Sequence, residues 1–229
     1  MDIVLIGPPG SGKGTQASRL SRHLSIPHIS SGDLLRTVRG QDDQLGRETK
    51  GYVDKGQLVP DDLIVRIIED RLTHPDVADG FLLDGFPRTL AQAESLDTCL
   101  RAMTPSRTVE LVIFLRASRD VVLRRMEGRW TCQQCGAVYN IPDVEPHETG
   151  HCDVCGAPLY QRSDEKPEIQ TQRIDIYERD TFPLIGYYRS HGVLAEIDAE
   201  QTVEEVNNAI LVALTVRESA MQATELRHE

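Results

Sequence analysis

Apolar residues in this chain alternate between two spacings. Short continuous runs occur at Ile3–Ile6, Phe81-Leu82-Leu83, Glu110–Leu115 and Val193–Ile197, with a shorter extended piece over Ile26–Ser30. Runs of this kind, bounded by Gly, Pro or charged residues, predict strands buried on both faces. Between them the spacing becomes helical. Ala17, Leu20 and Leu24 form one stripe, and Leu63, Ile64, Ile67, Ile68 and Leu72 another. Helices are further predicted at Thr89–Leu100, Arg119–Glu127, from Glu168 (Ile169, Ile174, Ile176, Tyr177) and at Val203–Val216, with a polar extension to Glu229. Pro60-Asp61-Asp62 caps the second stripe, and Ser31 or Asp33 caps a helix opening at Ser31-Gly32-Asp33. Strands alternating with helices predict an α/β fold: a parallel five-stranded sheet covered on both faces, in three layers.

Two stretches interrupt the alternation. From Asp33 to Gly56 the pattern is polar and helical, broken at Gly40, Gly46 and Gly51, and carries Arg36, Arg39, Arg47 and Lys50. That suits a small helical flap over an anion, although most such cations sit on a solvated face. From Arg129 to Pro158 the chain is rich in Cys, Gly and Pro, with no helical period. It reads as an insertion whose ends lie close together.

The first strand leads into Gly7-Pro8-Pro9-Gly10-Ser11-Gly12-Lys13-Gly14-Thr15 and then a helix. Strand, glycine-rich turn, Lys and helix start form a phosphate cradle: backbone N–H groups converge on oxygens, the helix N-terminus adds positive potential, and Lys13 adds a full charge. The hydroxyl stands one place later than in the strict G-x-x-x-x-G-K-[ST] pattern, because Gly14 precedes Thr15. Asp84, at the end of a strand beside this loop, is placed to hold Mg²⁺ through water or to cap the next turn.

Charge narrows the partners. The 229 residues carry a formal net charge of −11, which disfavours bulk attraction to nucleic acid or an anionic membrane, so any anion site must be built locally. No basic leader and no apolar stretch near the ~20 residues of a membrane span is present, which gives the expectation of a cytoplasmic protein. Of five cysteines, Cys99 stands alone in a helical segment. The others form Cys132-x2-Cys135, sixteen residues, and Cys152-x2-Cys155. Two such knuckles close a four-sulfur shell, for which Zn²⁺ is the expected ion and an Fe–S centre the alternative. With every position filled by sulfur, the metal is structural. His147-Glu148-Thr149-Gly150-His151 matches the H-E-x-x-H of zinc proteases, but Pro142, Pro146 and Gly150 deny it the helix that chemistry needs.

These residues resemble the adenylate kinases, in the form with a long, zinc-bearing lid. The likeness runs from Ile3 to about Val212 and is most specific at Gly7–Gln16, Ser31–Arg36, Gly56–Asp61, Gly80–Thr89 and Pro183–Tyr188. The resemblance implies reversible phosphoryl transfer, ATP plus AMP giving two ADP, in a P-loop core (1–29, 60–128, 163–229) with an AMP-binding flap (30–59) and a lid (129–162). It implies an ATP site at Gly10, Ser11, Gly12, Lys13, Gly14 and Thr15, with Arg125, Arg129, Val138, Tyr139 and Gln201, and Mg²⁺ at Thr15 and Asp84. It implies an AMP site at Ser31, Arg36, Gln57, Leu58, Val59, Gly85, Phe86, Pro87, Arg88 and Gln92. There Gln92 reads the base, and Arg36 and Arg88 grip the phosphate. Lys13, Arg88, Arg129, Arg162 and Arg173 are the implied catalytic groups; Arg162 also opens the lid hinge. The implied partners are nucleotides alone, and the implied state is a monomer. Trp130, Asn140 and Gln201 depart from the commoner family residues and leave ATP and GTP open as donors. The rival readings are a kinase for UMP, CMP or GMP and, from another class, a zinc-ribbon nucleic-acid binder with a nucleotide switch.

Overall fold

The computed structural model describes residues 1–40, 44–53, 59–141, 145–161 and 167–225. Its main sheet is parallel and five-stranded: β1 (Asp2–Ile6), β2 (His28–Ser30), β3 (Phe81–Asp84), β4 (Leu111–Arg116) and β8 (Leu194–Asp198), in the order β2-β3-β1-β4-β8. The strands between β4 and β8 in the chain, β5 (Arg129–Cys132), β6 (Val138–Asn140) and β7 (Leu159–Tyr160), form a separate antiparallel sheet, ordered β6-β5-β7.

The apolar runs have a direct physical reading. Side chains alternate across a strand, so Val4 and Ile6 enter one core while Ile3 and Leu5 enter the other. The first core is closed by α4 (Asp61–Leu72), α5 (Leu90–Ala102) and α8 (Leu184–Ser190), through Leu63, Ile68, Leu96, Leu100, Leu184 and Tyr188. The second is closed by α1 (Lys13–Leu24) and α9 (Val203–Glu225), through Ala17, Leu20, Val206, Ile210 and Leu214. These are the expected three layers.

Boundaries shift where local chemistry competes. Ser30, not Ser31 or Asp33, caps α2 (Ser31–Arg39), its hydroxyl accepting from the Asp33 N–H at 3.2 Å. Gly40 ends α2, but Gly46 and Gly51 lie inside α3 (Gln44–Val53). A helical glycine costs only about 1 kcal/mol, which does not by itself break a helix. Pro60 occupies the cap position of α4, and Asp61 makes no cap of its own. The Arg119–Glu127 helix, α6, falls where expected, and α7 (Pro167–Ile176) runs on into a π-helical turn at Tyr177–Thr181. The polar extension remains helical in α9 as far as Glu225. Among the described residues, no helix is long and apolar enough to cross a membrane.

One ion pair is built into the core. Asp2, 3% exposed, accepts from Arg107 Nε at 2.8 Å and pairs with its Nη2, while Arg107 Nη1 donates to the Val77 carbonyl at 2.8 Å. Burial pushes the Asp2 carboxyl above its ordinary range against the pull of that guanidinium. Arg107→Met removes the partner and leaves a buried carboxyl, so urea unfolding at pH 7 is expected to show a loss of about 3–5 kcal/mol. A variant as stable as the parent would make the pair dispensable.

Candidate active site

The loop after β1 folds on itself: the Ser11 N–H donates to the Pro8 carbonyl at 3.1 Å. Gly10 has φ 84°, and a Cβ there would meet the Val122 carbonyl at 2.8 Å, so only glycine fits. Gly12 caps α1 without a side chain, and the first turn holds no acidic residue. The N–H groups at that helix start are therefore left to an outside acceptor. Ser11 is 2% exposed, and its hydroxyl has no partner among the described residues. Gly14 and Thr15 lie exposed on the first turn.

Lys13 bends back over the loop. Its Nζ donates to the Gly7 and Pro8 carbonyls at 2.8 and 2.9 Å, so the ammonium is enclosed while the stem keeps some exposure. Burial pushes the ammonium down to about 7; the Asp84 carboxylate opposes this, and the Arg88, Arg173 and Arg129 guanidiniums reinforce it. Those five charged groups, drawn from the loop, β3, the following turn, β5 and α7, therefore share one field. Asp84 lies beside the helix start, since a Cβ on Gly14 would be 3.7 Å from its Oδ2. The same oxygen is 3.2 Å from His28 Nε2, a neighbour that the sequence did not single out.

A second set of predicted residues gathers after β3. The Ser31 hydroxyl donates to the Gly85 carbonyl at 2.7 Å, and Arg88 Nε donates to the same oxygen at 2.7 Å. Gly85 has φ 77°, and a Cβ would sit 2.8 Å from Ser31 Oγ. Phe86, Pro87 and Val59 are buried. Arg36 is paired with Asp33 at 2.5 Å, partly exposed. Gln92 is 2% exposed and held on both sides: its Oε1 accepts from the Arg88 N–H at 2.7 Å, and its Nε2 donates to Asp61 at 2.7 Å. Gln57, Leu58 and Arg162 lie outside the described residues.

The remaining candidates separate. Arg125 Nη1 donates to the Ala199 carbonyl at 2.8 Å, two residues before the exposed Gln201. On β6 the Val138 side chain faces solvent, whereas Tyr139 is buried against the cysteines; its hydroxyl donates to Cys152 Sγ at 3.5 Å and accepts from the Asp153 N–H at 2.7 Å. That hydroxyl is the main influence drawing the Cys152 thiol below its ordinary value.

The two knuckles are near copies. The Cys132 and Cys152 N–H groups donate to the Ala137 and Ala157 carbonyls at 2.8 and 2.9 Å, and the Gly136 and Gly156 N–H groups return to the Cys132 and Cys152 carbonyls. The sulfurs of Cys132, Cys135, Cys152 and Cys155 all lie within 4.8 Å of one another, with contacts of 3.4 Å (Cys132–Cys155) and 3.5 Å (Cys135–Cys152). A tetrahedral Zn²⁺ with Zn–S near 2.3 Å requires sulfur separations of about 3.8 Å, so this donor set fits the ion in size and chemistry. His147 and His151 are on no helix; His151 instead makes a β-bridge to Pro158.

Comparison with known proteins bears on the whole chain. A family model for adenylate kinase matches residues 5–193. The adenylate kinase of Archaeoglobus fulgidus is 45% identical over 206 residues, covering 90% of this chain and 94% of its own. That of Carboxydothermus hydrogenoformans is 45% identical over 214 residues, covering 93% and 99%. With likeness at this level running nearly end to end, the chain belongs to the adenylate kinase family and is a nucleoside monophosphate kinase, a phosphotransferase.

Proposed function

We propose that the chain catalyses reversible phosphoryl transfer from MgATP to AMP, giving two ADP. The observation that carries this reading is the common field of Lys13, Asp84, Arg88, Arg129 and Arg173 at the end of the phosphate loop. In the transfer, a phosphate oxygen of AMP forms a bond to the γ-phosphorus while the bond from that phosphorus to the β-bridging oxygen breaks. The attacking oxygen is already anionic at neutral pH, so no general base is needed. Catalysis reduces to alignment and neutralisation of charge spread over the transferring group.

The roles follow from placement. The Gly10–Thr15 backbone and Lys13 hold the ATP phosphates, and the orphaned Ser11 hydroxyl suits an incoming acceptor oxygen. Thr15 and Asp84 would supply hard oxygen donors for the substrate's Mg²⁺, which would offset charge on the phosphate groups. Arg88, Arg129, Arg173 and, from the resemblance alone, Arg162 each offer a planar fork to phosphate. Arg125 and Gln201 flank the adenine side of ATP. With the Tyr139 ring committed to the cysteines, Val138 and the β6 backbone carry that contact from the lid. AMP lies against Ser31, Val59 and Gly85–Arg88 (Gly85, Phe86, Pro87, Arg88), with Gln92 reading its base. Arg36 joins by leaving Asp33, a partly exposed pair worth about 0–1 kcal/mol that a phosphate outcompetes.

Residues 129–162 serve as a lid, with Zn²⁺ in the four-cysteine shell taking the place of a core there, and residues 30–59 as the flap over AMP. Lid closure excludes water, which would otherwise compete for the phosphoryl group. The protein acts as a cytoplasmic monomer. A coupled assay of ADP formation from ATP with a panel of nucleoside monophosphates tests the reading. AMP is expected to be the preferred acceptor, and preference for UMP, CMP or GMP would overturn it.

A further inference from the structure

The Gln92 amide is held by two contacts that agree on its orientation. A carboxylate only accepts, so the Gln92 atom facing Asp61 Oδ1 at 2.7 Å must be the NH₂. A backbone N–H only donates, so the atom facing Arg88 N at 2.7 Å must be the carbonyl oxygen. The same Asp61 carboxylate is itself pinned, its Oδ2 accepting from the Thr89 hydroxyl at 2.7 Å. Thr89 in turn caps α5, accepting from the Gln92 N–H at 3.2 Å. The network closes on itself: the start of α4, the start of α5 and the Arg88 backbone are joined through one carboxylate. After these bonds each polar atom of the Gln92 amide retains one position, an N–H on Nε2 and a lone pair on Oε1.

We propose that Asp61 is a positioning residue that sets acceptor specificity, by fixing which end of the Gln92 amide donates and which accepts. This rests on the reading that Gln92 faces the base of the acceptor nucleotide. A 6-aminopurine presents an N–H at position 6 and an acceptor at N1. A 6-oxopurine presents the reverse, an acceptor at position 6 and an N–H at N1. An amide free to turn over serves both edges equally. An amide locked by a carboxylate on one side and an amide N–H on the other serves only one. The 6-oxopurine then meets donor against donor and acceptor against acceptor, the arrangement by which a buried polar site rejects a near-isostere. Asp61 itself contacts no substrate. It acts through Gln92, and the second anchor at Thr89 keeps its own carboxylate from swinging away.

The test compares kcat/KM for AMP and for inosine monophosphate (IMP), with ATP as donor, in the parent, Asp61→Ala, Asp61→Asn and Gln92→Leu. In Asp61→Ala only the Arg88 N–H still orients the amide, so the AMP-over-IMP ratio is expected to fall by about threefold or more, part of the about tenfold by which one good bidentate reading discriminates, while the KM for ATP is unchanged. Asp61→Asn should keep most of the ratio, because its Oδ1 still accepts from Gln92 and its Nδ2 donates to the Thr89 oxygen. A purely architectural role would depress both acceptors together and leave the ratio alone, and that result overturns the proposal. If Gln92→Leu lowers the ratio while Asp61→Ala does not, the role of Asp61 is refuted and base reading by Gln92 stands. If Gln92→Leu leaves the ratio unchanged, the base-reading assignment fails and the proposal fails with it. Should circular dichroism show Asp61→Ala unfolded, Asp61→Ser is read in the same assay against the same expectation; its hydroxyl keeps a polar helix start but is too short to hold both partners.

Discussion

Lys13→Met is expected to lower kcat for ADP formation by about a hundred- to a thousandfold, the cost of removing one preorganised donor from a site where charge develops. The ammonium is the group that the loop, Asp84 and three arginines surround, and methionine has similar reach without charge or donors. The fold should survive, because Lys13 makes its bonds to its own loop carbonyls, Gly7 and Pro8, rather than to the core. Equal melting temperatures for parent and variant would check that. A second readout isolates the charge. In the free protein burial holds the Lys13 pKa at about 7, against 10.5 for an ordinary lysine. Bound phosphates favour the ammonium and raise that value. Between about pH 7 and 10 nucleotide binding therefore takes up a proton at Lys13, visible by titration calorimetry in buffers of different ionisation enthalpy. Lys13→Met should lose that uptake. Full activity in the variant would refute the cradle assignment.

The second large effect concerns the four cysteines. Stripping Zn²⁺ with a chelator, or substituting Cys132→Ser, should lower the melting temperature by about 8–16 °C. An ion bound only by the folded chain and present at a thousandfold its dissociation constant contributes about 4 kcal/mol. Each kcal/mol moves the melting temperature of a chain of this size by about 2–4 °C. The cysteine cluster has little else to rest on, since Cys132, Tyr139, Cys152 and Leu159 make up its buried core. Unchanged melting after verified metal removal would sink the structural assignment.

What the sequence could disclose was what local patterns encode. Strands buried on both faces appear as unbroken apolar runs, so β1, β3 and β4 were legible to within a residue. The cysteine knuckles were legible because each pair lies within one turn. The phosphate loop was legible because its glycines and Lys13 are contiguous. Long-range polar pairing was not: nothing in the spacing joins Asp61 to Thr89 and Gln92, or His28 to Asp84, because those partners meet only through the sheet order. Sequence places Asp61 within a helix cap, but the cap position of α4 falls to Pro60. The resemblance implies Tyr139 at the ATP site, and the fold adds a bond that spacing does not show, from its buried hydroxyl to Cys152 Sγ. Gly46 and Gly51 look like breaks in sequence but lie within the continuous α3.

The position of β1 has a mechanical consequence. It lies between β3 and β4, and its side chains enter both cores by turns. The phosphate loop is its direct continuation, and Lys13 clamps the first two carbonyls beyond it. Both helical layers therefore pack against the one strand from which this short bracket continues. The aim of the Lys13 ammonium thus rests on a strand wedged between the two layers.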